Sequence, residues 1–228
     1  MQRNTNLYDD YVEFKGWQSE ETIERPEDYA ALIALAGPTA PGRVLDIGAG
    51  RGTFLDWCQT AGIETYGTEI IAALAARNAS RGHKMLDPGL GEPAPPMDLI
   101  TLLDVIEHLS PAEAAALLTA ALGLLGPDGR ILLRFPNGQS PFSGLYQNGD
   151  LTHVSRFTPA SLRQLAEPCG LELAGAFNHR SMPPGLRALK RRAAYWVRDM
   201  VETVLGLVYF GRRVPLDPNI VVVLRRKA

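Results

Sequence analysis

Short apolar runs alternate along the chain with longer stretches whose apolar residues recur every three or four positions. Arg43–Ile47, Ile63–Thr68, His83–Leu86, Asp98–Leu103, Arg130–Phe135, Leu171–Phe177 and Ile220–Leu224 read as strands. Pro26–Ala36, Thr53–Thr60, Ile70–Ser80, Ser110–Leu125 and Thr158–Pro168 read as helices. Two of these begin with a hydroxyl residue followed by proline, Ser110-Pro111 and Thr158-Pro159. That order marks an N-cap and a first helical position, where a missing N–H costs nothing. Pro127–Gly129 ("PDG") reads as a turn into the next strand, and Leu90–Pro96 as a surface loop. Strands and helices alternating over this length predict a doubly wound α/β sheet.

Two regions depart from the alternation. Residues 1–24 are polar with interspersed Tyr8, Tyr11, Phe14 and Trp17, so residues 1–40 are expected to form an N-terminal helical cap over a main domain at 41–228. Within that domain, about 180–218 reads as an insertion before the last strand. Leu186, Leu189, Ala193, Trp196, Met200, Val204 and Leu207 fall at helical spacing on one side, ending near Gly211. From Arg180 to Arg213 there are eight Lys/Arg against Asp199 and Glu202. Such a basic amphipathic helix has two readings. It packs on the fold or forms a homodimer interface, or it makes peripheral contact with an anionic membrane surface through 186–210.

Composition narrows the class. The chain has 228 residues, 46% of them apolar and 21% charged, as in ordinary globular proteins. A formal charge of −2 gives no reason to expect a nucleic-acid partner. The two cysteines, Cys58 and Cys169, lack metal-finger or redox-motif spacing and read as free thiols of a reducing compartment, here the cytoplasm. The N-terminus shows no secretory pattern, and no run is apolar enough to span a membrane.

Candidate chemistry starts at "VLDIGAGRGTF", Val44–Phe54. A strand runs into glycines 48, 50 and 52 and then a helix. Bare backbone permits positive φ and close ligand approach, and the free N–H groups at the helix start favour a polar group. Seventeen residues after Gly52, Glu69 closes the second strand, where a carboxylate can accept both hydroxyls of a ribose. The third glycine comes one residue too early for the dinucleotide fingerprint, which argues against a nucleotide-dependent oxidoreductase.

Taken in order, "LDIGAGRG", "TEI", "DLITLLDVIEHL", "LGPDGRILLRFPN" and "FTPASLRQLAEPCGLE" resemble the class I S-adenosylmethionine-dependent methyltransferases over roughly residues 42–178. The resemblance implies a Rossmann-like seven-stranded sheet with its last strand antiparallel, and S-adenosylmethionine as cofactor. It places Asp46, Gly48, Ala49, Gly50 and Gly52 at the methionine moiety, Glu69 at the ribose, Asp87 at the adenine amino group, and Leu102 and Leu103 beside the reactive methyl. The alternative is a non-catalytic cofactor-binding scaffold.

A second constellation follows the fourth strand. Asp104, Glu107 and His108 sit on the rim where open α/β sheets bind ligands, and His153 comes before a later helix. Histidine titrates in the range a general base needs, so His108 or His153, with Glu107, is a candidate catalytic group for deprotonating an acceptor hydroxyl. The spacing also resembles metal-dependent methyltransferases acting on RNA ribose ends or quinone precursors. That implies Mg or Mn on Glu107, His108 and His153, with Asp104 where those enzymes usually carry Glu. A third reading leaves these histidines as pocket-wall hydrogen bonders. His83 and His179 read as surface polar groups.

The stretch from Phe135 to Thr158 is long for a connection and rich in polar groups. Tyr146, Asp150 and Arg156 are candidate substrate contacts. The loop resembles methyltransferases of bacterial polysaccharide and natural-product pathways, which implies O-methylation of a saccharide or related small molecule. A quinone-type or other non-sugar acceptor remains the alternative. A lipid-linked glycan would suit an enzyme peripheral to the inner membrane face.

Overall fold

The computed structural model describes residues 26–37, 39–180 and 186–227. Of the cap expected over residues 1–40, residues 1–25 therefore lie outside the described residues, and the helix Pro26–Ala36 is its described part. In chain order the elements are α1 (Pro26–Ala36), β1 (Arg43–Ile47), α2 (Thr53–Thr60), β2 (Glu64–Thr68), α3 (Ala72–Ser80), β3 (Lys84–Met85) and β4 (Met97–Leu103). A 3₁₀ turn (Ile106–His108), α4 (Pro111–Leu124), β5 (Leu125–Pro136), α5 (Gly144–Asn148), α6 (Pro159–Ala166), β6 (Leu171–Asn178), α7 (Leu186–Phe210) and β7 (Asn219–Arg226) follow.

The strands form one seven-stranded sheet in the order β3-β2-β1-β4-β5-β7-β6. The pairs β3–β2, β2–β1, β1–β4 and β4–β5 are parallel, and β7 runs antiparallel to both β5 and β6. This is the seven-stranded arrangement expected, with α7 preceding the last strand. Alternate residues of each central strand serve opposite faces. Ile131, Leu133 and Phe135 of β5 and Ile220, Val222 and Leu224 of β7 pack with α4 and α6, while Leu132, Val221 and Val223 pack with α1 and α2. Both faces are apolar, so these strands read as continuous hydrophobic runs. Tyr29 ties α1 to α2, its hydroxyl 2.8 Å from Thr53 Oγ1 and its ring edge-on to Phe54.

Both N-caps expected from sequence are present. Ser110 and Thr158 each accept from the backbone N–H three residues on, Glu113 and Ser161, and each helix has proline in its first turn. Two details differ from the sequence pattern. The strand β5 starts at Leu125, before the PDG segment. Leu125 pairs with Met97 and Arg130 with Leu99, so Gly126–Gly129 is carried as a bulge inside the strand. The 135–158 connection also contains the short helix α5, which no apolar periodicity announced.

Where strand order reverses between β1 and β4, the carboxyl ends of neighbouring strands diverge and leave a crevice.

Candidate active site

A cavity of about 980 Å³ opens at this crevice and is continuous from the β1–α2 turn to the ends of β5, β6 and β7. Asp46, Gly48, Ala49, Gly50, Glu69 and Leu103 all line it. Gly48 and Gly50 hold φ of 74° and 52°, left-handed values that glycine adopts without strain. A Cβ on Gly48 would sit 2.6 Å from Val105 Cγ2, so the turn is closed against the segment after β4. Asp46 is buried and accepts from the Thr101 hydroxyl at 2.7 Å, which fixes its carboxylate beside the turn. Glu69 binds the turn itself. Its Oε2 accepts from Gly50 N–H at 2.7 Å and its Oε1 from Ile71 N–H at 2.8 Å. A carboxylate has about four lone-pair sites, so two backbone bonds leave capacity for ligand hydroxyls.

Three of the residues expected at a cofactor sit elsewhere. Gly52 does not line the cavity. It is the left-handed N-cap of α2, φ 77°, and a Cβ there would meet Asn78 Oδ1 at 2.4 Å. Asn78 uses that space to donate to the Gly50 carbonyl at 3.0 Å, so Gly52 shapes the turn from behind. Leu102 is fully buried in the core, because adjacent strand residues face opposite sides and only Leu103 turns to the cavity. Asp87 is exposed and accepts from Gly89 N–H at 2.8 Å, while its neighbours Pro88 and Gly89 line the cavity instead.

The second constellation does assemble. Glu107, His108 and His153 each offer a donor atom within 4.8 Å of the others. Glu107 and His108 lie on the 3₁₀ turn after β4. His153 is brought to them because Val154 and Ser155 both donate backbone N–H bonds to the Glu107 carbonyl, each at 3.0 Å. His153 Nδ1 lies 3.1 Å from the Gln147 carbonyl, and its Nε2 lies 3.9 Å from both Glu107 Oε1 and Asp150 Oδ2. His108 Nδ1 lies 2.9 Å from Thr152 Oγ1, and that hydroxyl donates to Asp150 Oδ1 at 2.5 Å. Each imidazole is thus oriented through Nδ1, the arrangement that presents Nε2 to a proton or a cation.

Asp104 does not join this group. It holds a left-handed φ of 58°, and its carboxylate takes a two-pronged hydrogen bond from Arg134. Tyr146 and Asp150 line the cavity, whereas Arg156 is exposed and reaches Ser143 Oγ at 3.4 Å.

Four further lining residues escaped the sequence pattern: Asp28 of α1, Arg134 of β5, His179 just past β6 and Asn219 at the start of β7. Asp28 Oδ1, His179 Nε2 and Asn219 Oδ1 are buried with no hydrogen-bond partner among the described residues. Burial and the Arg134 guanidinium hold His179 below the usual histidine range, against the opposing pull of Asp28 and Asp104. His83 is not a surface residue either. It is buried with Nε2 2.8 Å from Asp56 Oδ1, and burial followed by Arg81 lowers its pKa. Arg134 left one sequence signal, a lone charge inside the apolar run ILLRFP.

Comparison with known proteins agrees with this geometry. A family model described as "Methyltransferase domain" matches residues 22–174, more than half of the chain. No curated protein sequence matches. Among solved structures, a SAM-dependent methyltransferase from Archaeoglobus fulgidus superposes with a TM-score of 0.58 at 18% identity, covering 98% of this chain and 100% of that one. Magnesium protoporphyrin IX methyltransferase from Synechocystis PCC 6803 with bound SAH gives 0.61 at 17% identity, covering 98% and 100%. Mitomycin 7-O-methyltransferase MmcR gives 0.61 at 16%, covering 98% of this chain but only 58% of its own length. With a family model spanning the glycine turn and the Glu107–His153 cluster, on a sheet of this topology, the chain belongs to the class I S-adenosylmethionine-dependent methyltransferases.

Proposed function

We propose that this methyltransferase acts on a hydroxyl of a saccharide or related small molecule. The observation that carries the reading is the continuity of one cavity from Glu69 and the glycine turn to the Glu107–His108–His153 cluster. The cavity suits S-adenosylmethionine, which supplies an electrophilic methyl group on a cationic sulfonium. Glu69 accepts the ribose hydroxyls, and Asp46 and the turn of Gly48–Gly50 meet the amino-acid end. Leu103 forms an apolar wall, and Pro88 and Gly89, in place of Asp87, border the far end.

The acceptor enters along the other half, where Tyr146, Asp150, His179, Asn219 and Asp28 supply polar groups to the lining. Positioning supplies most of the rate in a substitution of this kind, since charge is lost as the methyl group moves. A hydroxyl nucleophile also has to shed its proton. His153 Nε2 takes it, because Nδ1–H is committed to Gln147, and the imidazolium then lies between the carboxylates of Glu107 and Asp150. Free thiols at Cys58 and Cys169 suit the cytoplasm.

A second reading has its own support. Glu107, His108 and His153 have the spacing and Nδ1 anchoring of a metal centre, whose cation would lower the pKa of an acceptor hydroxyl. Two imidazoles and one carboxylate suit Mn better than Mg, which prefers oxygen ligands. Turnover surviving exhaustive chelation, with no metal in the purified protein by mass spectrometry, eliminates this reading and leaves His153 as base.

The main test uses labelled S-adenosylmethionine with extract of the source cells, followed by chemical analysis of the labelled product. A base-stable methyl ether on a carbohydrate is the expected result. Label in a base-labile ester, an amine or an aromatic ring overturns the saccharide assignment.

A further inference from the structure

The helix α7 is packed the wrong way round for a surface helix. Its 25 residues carry the amphipathic pattern anticipated from sequence, but the apolar stripe is not the buried side. The residues that pack on the body are Tyr195, Glu202 and Gly206, one stripe at spacings of seven and four. This inner face is held by polar chemistry. Glu202 accepts from Asn178 Nδ2 at 2.5 Å, Arg213 Nε at 3.0 Å and Leu216 N–H at 3.0 Å. Asp199 pairs with Arg180 and Arg213, and Arg180 stacks over the Tyr195 ring at 5.2 Å. Gly206 lets the chain return closely, since a Cβ there would sit 2.7 Å from the Arg212 carbonyl.

The opposite stripe faces away from the body. Leu189, Trp196, Met200, Val204 and Leu207 are exposed by 70%, 67%, 49%, 54% and 58%, and they recur at spacings of seven, four, four and three. Tyr209 and Phe210 extend the aromatic surface at the far end. The apolar stripe from Leu189 to Leu207, about 27 Å long at 1.5 Å per residue, is unlike the scattered single exposed apolar residues of ordinary monomers. Among the described residues no helix is long and apolar enough to cross a membrane.

Charge decides what covers the stripe. Lys190 and Arg192 are exposed to either side of it in the first half of the helix, and Arg187 is exposed there too. The only acids of α7 are both paired: Glu202, on the inner face, with Arg213, and Asp199, on the edge it shares with Arg192, with Arg180 and Arg213. The outer half therefore has apolar and basic groups and no carboxylate that is not already paired. A second copy docked on this face would offer the exposed bases of the first half no carboxylate to pair with, since the acids of α7 are already committed to Arg180 and Arg213. An anionic lipid surface takes up the apolar stripe and neutralises its basic edges together.

We infer that α7 is an interfacial helix that seats this methyltransferase on an anionic bilayer, its axis in the membrane plane and Leu189–Leu207 in the headgroup–acyl boundary. The docked helix is joined to the catalytic half. After α7, the Pro215 carbonyl accepts from Asn137 Nδ2 at 3.1 Å and from Gln139 Nε2 at 2.9 Å, and the Leu216 carbonyl accepts from Ser140 Oγ at 2.5 Å. Those three residues begin the loop whose Leu145 and Tyr146 line the cavity. Seating the helix thus brings the acceptor loop to the lipid surface, where a lipid-borne acceptor is concentrated.

The test is flotation of the full-length protein with vesicles of equal phosphatidylglycerol and phosphatidylcholine, against phosphatidylcholine alone. Expected is flotation with the anionic vesicles only, weakened by high salt. The double variant Val204→Glu/Leu207→Glu should lower the fraction bound at least tenfold, and Arg187→Ala/Lys190→Ala/Arg192→Ala should do likewise. Both variants should bind S-adenosylhomocysteine as the parent does, which separates lost docking from lost fold and from any failure of the cofactor assignment. Absence of flotation overturns the inference, whether the protein is then a dimer in light scattering that the Val204→Glu/Leu207→Glu variant dissociates, or a monomer. Equal binding to both vesicles overturns the anionic selectivity and with it the role of the bases.

Discussion

His153 and Glu107 face each other across 3.9 Å, Nε2 to Oε1, with the far nitrogen of the imidazole held 3.1 Å from the Gln147 carbonyl. The ring cannot swing away without losing that bond, and a proton arriving on Nε2 meets a buried carboxylate. His153→Ala should therefore lower kcat by about 10²- to 10⁴-fold, the usual contribution of a positioned general base. Titration calorimetry with S-adenosylhomocysteine should show the same Kd as the parent. A variant with full turnover would remove His153 from the chemistry.

Glu69 has two duties in one carboxylate. It closes the turn through Gly50 N–H and presents itself to the cavity. Glu69→Gln keeps the shape but replaces one acceptor oxygen with a donor, aimed at either a backbone N–H or the ribose. Each charged hydrogen bond lost is worth about 1.5–3 kcal/mol, so affinity for S-adenosylmethionine should fall by about 10- to 150-fold. Equilibrium binding reads this directly, and unchanged affinity would place the ribose elsewhere.

Gly52 was legible as part of the ligand turn, but its physical role is a different one. Gly52→Ala forces a Cβ into a left-handed position costing about 1–2 kcal/mol and drives it against Asn78 Oδ1. Asn78 then loses its bond to the Gly50 carbonyl, and the turn loosens. The expected outcome is a lower Tm together with weaker cofactor binding. Asn78→Ala should reproduce the weaker binding without backbone strain, which calorimetry on the pair can check.

What the sequence disclosed follows from the range of the interactions involved. Most strand and helix identities, both N-caps, the glycine turn with Glu69, and the antiparallel last strand rest on local pattern and a known motif order. The grouping of Glu107, His108 and His153 was anticipated because two of them are adjacent and the third lies in a conspicuous loop. Asp28, Arg134, His179 and Asn219 meet only because β5, β7 and β6 lie side by side and α1 crosses their ends, contacts between distant segments that periodicity does not encode. The same limit applies to α7. Its apolar stripe was plain, but Glu202, Asp199 and Tyr195 decide which side turns inward through bonds to Asn178, Arg213 and Arg180, and a helical wheel does not contain those partners.

His83 and His179 contribute to the acid limb of stability. Burial lowers His83 and His179 below their ordinary value of 6.5, so the unfolded chain binds protons more tightly than the native one between the folded values and 6.5. Their contribution is complete above about pH 6.5 and is lost as pH falls through the depressed folded values. Carboxylates on the surface do not produce this early loss. Glu64, held at about 2 by hydrogen bonds from Lys84, then Arg43 and Tyr66, keeps its contribution above its ordinary 4.5 and loses it only toward pH 2. Urea unfolding at intervals from pH 8 to pH 5 should show stability falling below about pH 6.5 with uptake of up to two protons. His83→Gln keeps a donor toward Asp56 and removes the titration, so its curve should take up one proton fewer over the same range. A parent curve flat between pH 7 and pH 5 would show that neither imidazole is buried as the fold places it.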